Sequence, residues 1–155
     1  LDAIKEYEPK FNGRMRWMTD SEEGMYDAIN LGIIISRGDV IGIMNAGDFF
    51  ETDHAVADVE KTFGTDKKVR VVYADARSIL KTEEKDLDKL RAMKTQRYYS
   101  AFLWMPWMLQ WGFMPAFPSI YIMRDEFFKF RPHPRSSLFP SALVLPLPRV
   151  SVLLM

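Results

Sequence analysis

An α/β fold, a sheet with crossover helices, is predicted by three observations. Residues 38–48, GDVIGIMNAGD, combine a glycine turn, a fully apolar run at 40–44 and a polar tip, Asn45-Ala46-Gly47-Asp48. A second apolar run at 69–74 ends at Asp75. Residues 25–36 and 53–63 carry apolar side chains at helical spacing, so the order is helix, strand, helix, strand with short connections. A continuous apolar run bounded by turn residues is the pattern of a buried parallel strand. Ligands of open α/β sheets gather beyond the carboxyl ends of such strands, which singles out the tip as a place for a metal or a phosphate. The same four residues also read as an ordinary turn whose Asp caps the next helix, because Asn, Gly and Asp are common in both settings.

The 155 residues suit one domain with a single core. With 48% hydrophobic and 27% charged residues, the composition is that of a globular chain. Basic and acidic residues number 21 each, and a net charge of zero gives no reason to expect a nucleic-acid or other polyanionic partner. The absence of cysteine excludes disulfides and thiolate metal sites and is compatible with a reducing compartment. Leu1 is not an initiator Met and residues 1–10 lack the pattern of a signal peptide, so the chain reads as beginning inside a longer sequence.

In chain order, Leu1, Ile4 and Tyr7 predict an amphipathic helix stopped near Pro9. Asn12-Gly13 predicts a turn into a short strand at 14–18. Residues 19–24 form an acidic loop, which reads equally as a solvated connection capping the next helix. Met25, Ile29, Leu31, Ile33 and Ile34 mark a helix stopped by Gly38. Asp27 and Asn30, three apart, share a face near its start, where they could meet a ligand or simply face solvent. Ala55, Val56, Val59 and Phe63 mark a second helix ended by Gly64. Residues 81–94 are dense in charge and predict a helix with a solvated face.

The composition then changes. Residues 101–123 hold three of the four tryptophans and no charge, a stretch long enough to cross a bilayer. Pro106, Pro115 and Pro118 argue against one continuous spanning helix, and Gln110 weakens that case further. A buried or membrane-facing loop and helix, followed by a strand at 119–123, is the expectation. Residues 131–155 contain five prolines and have no clear period.

Residues 21–50, SEEGMYDAINLGIIISRGDVIGIMNAGDFF, resemble a family 2 glycosyltransferase of the bacterial surface-polysaccharide kind. Gly24, Tyr26, Asp27, Ala28, Asn30, Gly32, Gly38 and Asp39 match the family pattern in register, and Asp20 and Glu22 fall where it has an acidic pair. Val71-Val72-Tyr73-Ala74-Asp75 resembles its later Val-Tyr-Gly-Asp element. Met114-Pro115, Pro118 and Ile122-Met123-Arg124 resemble a third block, where the chain runs back into the sheet. The resemblance covers residues 1–130. It implies a GT-A, Rossmann-like sheet with flanking helices that moves a sugar, with inversion, from a nucleoside diphosphate donor, a UDP-sugar, to an acceptor hydroxyl of a saccharide or lipid-linked saccharide. By similarity, Asp27, Asn30, Asn45 and Asp48 bind the donor, Asp48 holds Mg²⁺ or Mn²⁺, and Asp20, Glu22 and Asp75 line the acidic loop and acceptor side. It implies a cytoplasmic location, and the uncharged, aromatic composition of 101–123 adds the expectation of peripheral contact with the inner face of the plasma membrane.

The departures are specific. Gly47 replaces the first of two adjacent aspartates, and Phe117 stands where a His is frequent. The first strand of the family would lie before Leu1, so the GT-A sheet is expected to be incomplete. No residue of 131–155 matches the family's general base, and a shifted reading frame after about residue 130 accounts for that tail. An inactive fragment, acting as an interaction or membrane-associated module, is therefore the alternative. The two histidines, His54 and His133, have no zinc-ligand spacing, and no P-loop, dinucleotide fingerprint or nucleophile elbow occurs.

Overall fold

The computed structural model describes residues 2–18 and 25–129, and the side chains of those from 28 onward in the second segment. Asp20, Glu22 and residues 131–155, with their proposed acidic-loop and frameshift roles, lie outside the described residues, as does the Asp27 side chain.

Helix α1 (Asp2–Tyr7) leads into a 3-10 turn, Glu8–Phe11, closed by Asn12 at φ 50° and Gly13 at φ 74°. Neither element has a buried residue, so the predicted amphipathic face is not covered by described residues. The strand predicted at 14–18 is not formed: these residues join no ladder among those described.

Helix α2 (Met25–Ile35) precedes strand β1 (Val40–Gly42), and helix α3 (Ala55–Thr65) crosses over to strand β2 (Val71–Tyr73). Strand β5 (Ile120–Met123) returns between them, giving the order β1-β5-β2 with both pairs antiparallel. The mixed α/β class and the helix–strand–helix–strand order therefore hold. The parallel pairing does not: β1 and β2 point the same way, but each bonds to β5 rather than to the other. A continuous apolar run reports cover on both faces and says nothing about the direction of the neighbour.

Register explains the cover. Ile41 stands opposite Ile122 and Ile122 opposite Val71, so the pleat lines these three on one face, with Gly42, Tyr121 and Val72 lining the other. Ile29 and Ile33, one turn apart on α2, pack with Ile41 and Ile43; Phe117, Phe127 and Phe128 close that cluster. Val59 of α3 packs with Val71, Tyr121 and Ile122, and Phe63 lies against the same group.

Helix α5 (Arg124–Lys129) follows β5 directly and is fastened to the amino end of β2. Arg70 donates through Nε to Glu126 and through Nη2 to Asp125, and Lys129 Nζ donates to Glu126 Oε1 at 2.7 Å. Strands β3 (Ala76–Ser78) and β4 (Arg97–Tyr99) form a separate antiparallel pair that the sequence did not suggest.

Three helix boundaries differ from expectation, the first being that of α3, which runs through Gly64 to Thr65. Helix α2 ends at Ile35, three residues before Gly38, whose φ is not positive. The helix predicted over 81–94 is confined to α4 (Leu87–Ala92). Asp86 sets its start by accepting from the backbone N–H groups of Asp88 and Lys89 at 3.0 and 3.3 Å, a cap worth about 1 kcal/mol. Lys81–Lys85 stay outside because they bring charge but no apolar stripe to bury.

Candidate functional site

Because β1 and β2 point the same way, the segments after each leave the same end of the sheet, and the turn into β5 lies there too. Asn45 to Asp48 form a tight turn after β1. Asp48 N donates to Asn45 O at 3.0 Å, and Gly47 has φ 93°. Position three of such a turn needs a positive φ, which Gly supplies without strain. The glycine that departs from the family pattern is thus the residue this turn requires.

The Asp48 carboxylate is oriented by the same turn. Its Oδ2 accepts from Asn45 N at 3.0 Å and from Asn45 Nδ2 at 3.1 Å. Oδ1 makes no hydrogen bond with a described residue. Asp48 therefore caps its own turn and not α3, whose N-cap is His54. Among the described residues no group of three or more His, Asp or Glu side chains could enclose a metal ion. One fixed carboxylate with an open oxygen fits a divalent cation held mainly by phosphate oxygens and water, and does not fit an all-protein cage.

Asp75 follows β2 by two residues, at the same end of the sheet. Its Oδ2 accepts from the Tyr98 hydroxyl, and its Oδ1 from Ala101 N at 2.7 Å. The Tyr98 hydroxyl, with help from the Ala101 N–H, holds the Asp75 carboxyl below the usual range, and the carboxylate in turn pushes the Tyr98 phenol up.

Helix α2 precedes β1 and packs Ile29 and Ile33 against Ile41 and Ile43. Asn30 is on the same helix and only 7% exposed, and its Oδ1 has no hydrogen-bond partner among the described residues. A buried amide oxygen without a partner is costly and uncommon. The topology thus draws Asn45, Asp48 and Asp75 toward one end of the sheet, while Asn30 is buried on α2.

Two residues that sequence reasoning missed organise this end. Arg77 of β3 makes a bidentate pair with Glu51, donating from Nε and Nη2 at 2.8 and 2.9 Å. It also donates to the carbonyls of Met93 and Arg91. Arg91 of α4 donates to Phe50 O at 3.2 Å and to Asp53 Oδ1 at 2.7 Å. Together they fasten the loop after the tip to α4. Between that loop and the helix is an open cavity of about 320 Å³, whose lining includes Met44, Phe49, Phe50, Val56, Leu87 and Arg91. The charge-dense sequence carried no sign of these pairs because their partners are 14–41 residues away.

The segment between β4 and β5 is pinned by Trp104. Its ring meets Tyr73 edge-on at 5.1 Å, its Nε1 donates to Phe113 O at 2.9 Å, and Tyr73 Oη donates to Trp104 O at 3.2 Å. A 3-10 helix, Pro106–Trp111, follows without a buried residue. The segment is a loop with a short 3-10 helix, in which Met108 and Leu109 are half-buried and Phe102, Leu103, Trp107 and Trp111 are exposed. Among the described residues no helix is long and apolar enough to cross a membrane.

Comparison with known protein families, with curated proteins and with solved structures gives no match.

Proposed function

We propose that the chain is the donor-binding part of a family 2 glycosyltransferase with a GT-A sheet. It uses a nucleoside-diphosphate sugar, a UDP-sugar, and acts in the cytoplasm on a saccharide or lipid-linked saccharide acceptor. The observation that carries this reading is convergence: the tip with Asp48 and the Asp75 loop lie at one end of the sheet. The return of residues 120–123 between the two forward strands also supports it, since the third block of the resemblance predicts a chain that runs back into the sheet.

Asp48 Oδ1 would ligate Mg²⁺ or Mn²⁺, which when bound offsets the charge that develops on the leaving diphosphate. Asn45 fixes the carboxylate rotamer through its two donated hydrogen bonds. Asn30 offers the donor nucleotide an unpaired buried acceptor. Asp75 is held ionised, and a carboxylate with a depressed pKa is a weak base, so its role is to orient an acceptor rather than to take its proton.

Calorimetry with UDP and MnCl₂ tests the reading. UDP is expected to bind and to raise the melting temperature only when Mn²⁺ is present, and Asp48→Ala to abolish the metal dependence. Absence of any UDP binding would overturn the reading for this chain, and metal dependence that survives Asp48→Ala would overturn the assignment of Asp48.

A further inference from the structure

The 102–113 segment has a form that the donor site does not explain. Its neck is closed twice, by Ala101 N on Asp75 and by Trp104 Nε1 on Phe113 O, so the residues between project as one loop. That loop turns apolar side chains outward: Phe102 is 89% exposed, Leu103 72%, Trp111 69% and Trp107 62%. No charged residue occurs between Arg97 and Arg124. A contiguous exposed patch of this kind marks a contact surface.

Three features decide what the surface contacts. First, the loop bonds its own backbone: Met108 N donates to Met105 O at 2.9 Å, Gly112 N to Leu109 O at 3.0 Å and Phe113 N to Met108 O at 3.2 Å. Pro106 has no N–H to satisfy. An unpaired backbone group is costly away from water, so a turn that bonds part of its own backbone is better suited to a lipid surface. A protein groove makes no such demand. Second, Trp107 and Trp111 have no hydrogen-bond partner for their indole N–H groups among the described residues, and indoles with an apolar body and a free N–H settle at the level of lipid headgroups. Third, Lys94 and Arg97, just before the loop, are exposed and pair with no carboxylate among the described residues. Unpaired cations beside an apolar patch are complementary to anionic headgroups.

We propose that residues 102–113 are a membrane-docking loop that seats Phe102, Leu103, Trp107 and Trp111 in the interfacial zone of an anionic bilayer, with Trp104 as its fixed root. This narrows the contact expected over 101–123 to the loop, because Tyr121 and Ile122 belong to the core. It does not rest on the transferase reading, and UDP binding can fail without touching it.

Sedimentation with vesicles of phosphatidylcholine containing about a third phosphatidylglycerol tests the proposal. The protein is expected to sediment with the vesicles and its tryptophan emission to shift to the blue. Trp107→Ser combined with Trp111→Ser is expected to lower the partition coefficient by about tenfold or more. Leu80→Ser, an apolar residue 61% exposed outside the loop, is expected to change nothing. Circular dichroism and urea midpoints establish that the variants fold. Vesicle binding that survives the double substitution, or its absence in the parent protein, overturns the proposal. So does self-association abolished by the double substitution without any lipid binding, which would make a second copy the occupant. Equal binding to vesicles without phosphatidylglycerol overturns the choice of an anionic surface.

Discussion

Residues 45–53 and residues 101–114 leave the same end of the sheet, and they are held in opposite ways. The first is tied by polar groups: the Asn45–Asp48 turn closes on itself, Arg77 grips Glu51, and Arg91 grips Phe50 O and Asp53. The second is tied by one aromatic root, Trp104, and presents the rest of its apolar surface outward. A loop that must place a carboxylate for a charged ligand needs fixed direction, which arginine forks supply. A loop that meets a non-directional apolar phase needs only a firm base.

The largest effect should come from the root. Trp104→Ala is expected to cost about 3–5 kcal/mol, read as a drop in the urea midpoint, because it removes a large buried side chain and its hydrogen bond to Phe113 O. Retained stability would mean that the aromatic loop is not rooted there. Arg77→Ala comes next. With its side chain 15% exposed, loss of the fork to Glu51 and of the bonds to the carbonyls of Met93 and Arg91 should cost about 2 kcal/mol. Limited proteolysis should then cut the chain around 79–96, while Glu51→Gln, whose carboxylate is half exposed, should cost less.

At the tip, Gly47→Asp would restore the second carboxylate of the family pattern on a backbone at φ 93°. We expect about 1 kcal/mol of lost stability together with tighter Mn²⁺ binding in calorimetry. Tighter folding would show that the turn does not need its glycine. A pH titration reads the carboxylates that fasten α5 to β2 and residue 101 to the Asp75 loop. Arg70 beside Asp125, and Lys129 together with Arg70 beside Glu126, hold both carboxyls below their usual range, as Tyr98 does for Asp75. Depressed native pKa values contribute stability that is complete above the unfolded values of about 4 and is lost as pH falls through the native ones. Urea midpoints should therefore fall below pH about 4, and less so in Glu126→Gln than in the parent. The smallest effect belongs to the exposed loop: Trp107→Ser and Trp111→Ser should each move stability by less than about 0.5 kcal/mol.

Sequence reading reached the strands because burial leaves a local trace. The runs at 40–44, 71–74 and 120–123 are apolar, and each contains a strand of the sheet. The tip was legible for a similar reason, since Asn, Gly and Asp carry turn preferences in their own side chains and backbone. The helix expected over 81–94 failed because charge density mimics a solvated helix, whereas only Leu87–Ala92 has a cap and an apolar residue to dock. The strand expected at 14–18 failed because an extended segment becomes a strand only with a partner, and no described residue pairs with it.

The sequence by itself determined where the strands of the sheet would fall, that the chain would turn after β1 and that a carboxylate would end the tip, because these follow from side-chain chemistry within a few residues. The tertiary structure alone decided that β5 returns antiparallel between β1 and β2, that Asp48 and Asp75 share one end of the sheet, and that Arg77 and Arg91 lock the loop between them. These pairings join residues 26 and 41 positions apart, and Val71 meets Ile122, 51 positions away, in a single ladder contact. Such contacts depend on which surfaces meet once the chain has collapsed, and no window of the sequence contains both partners.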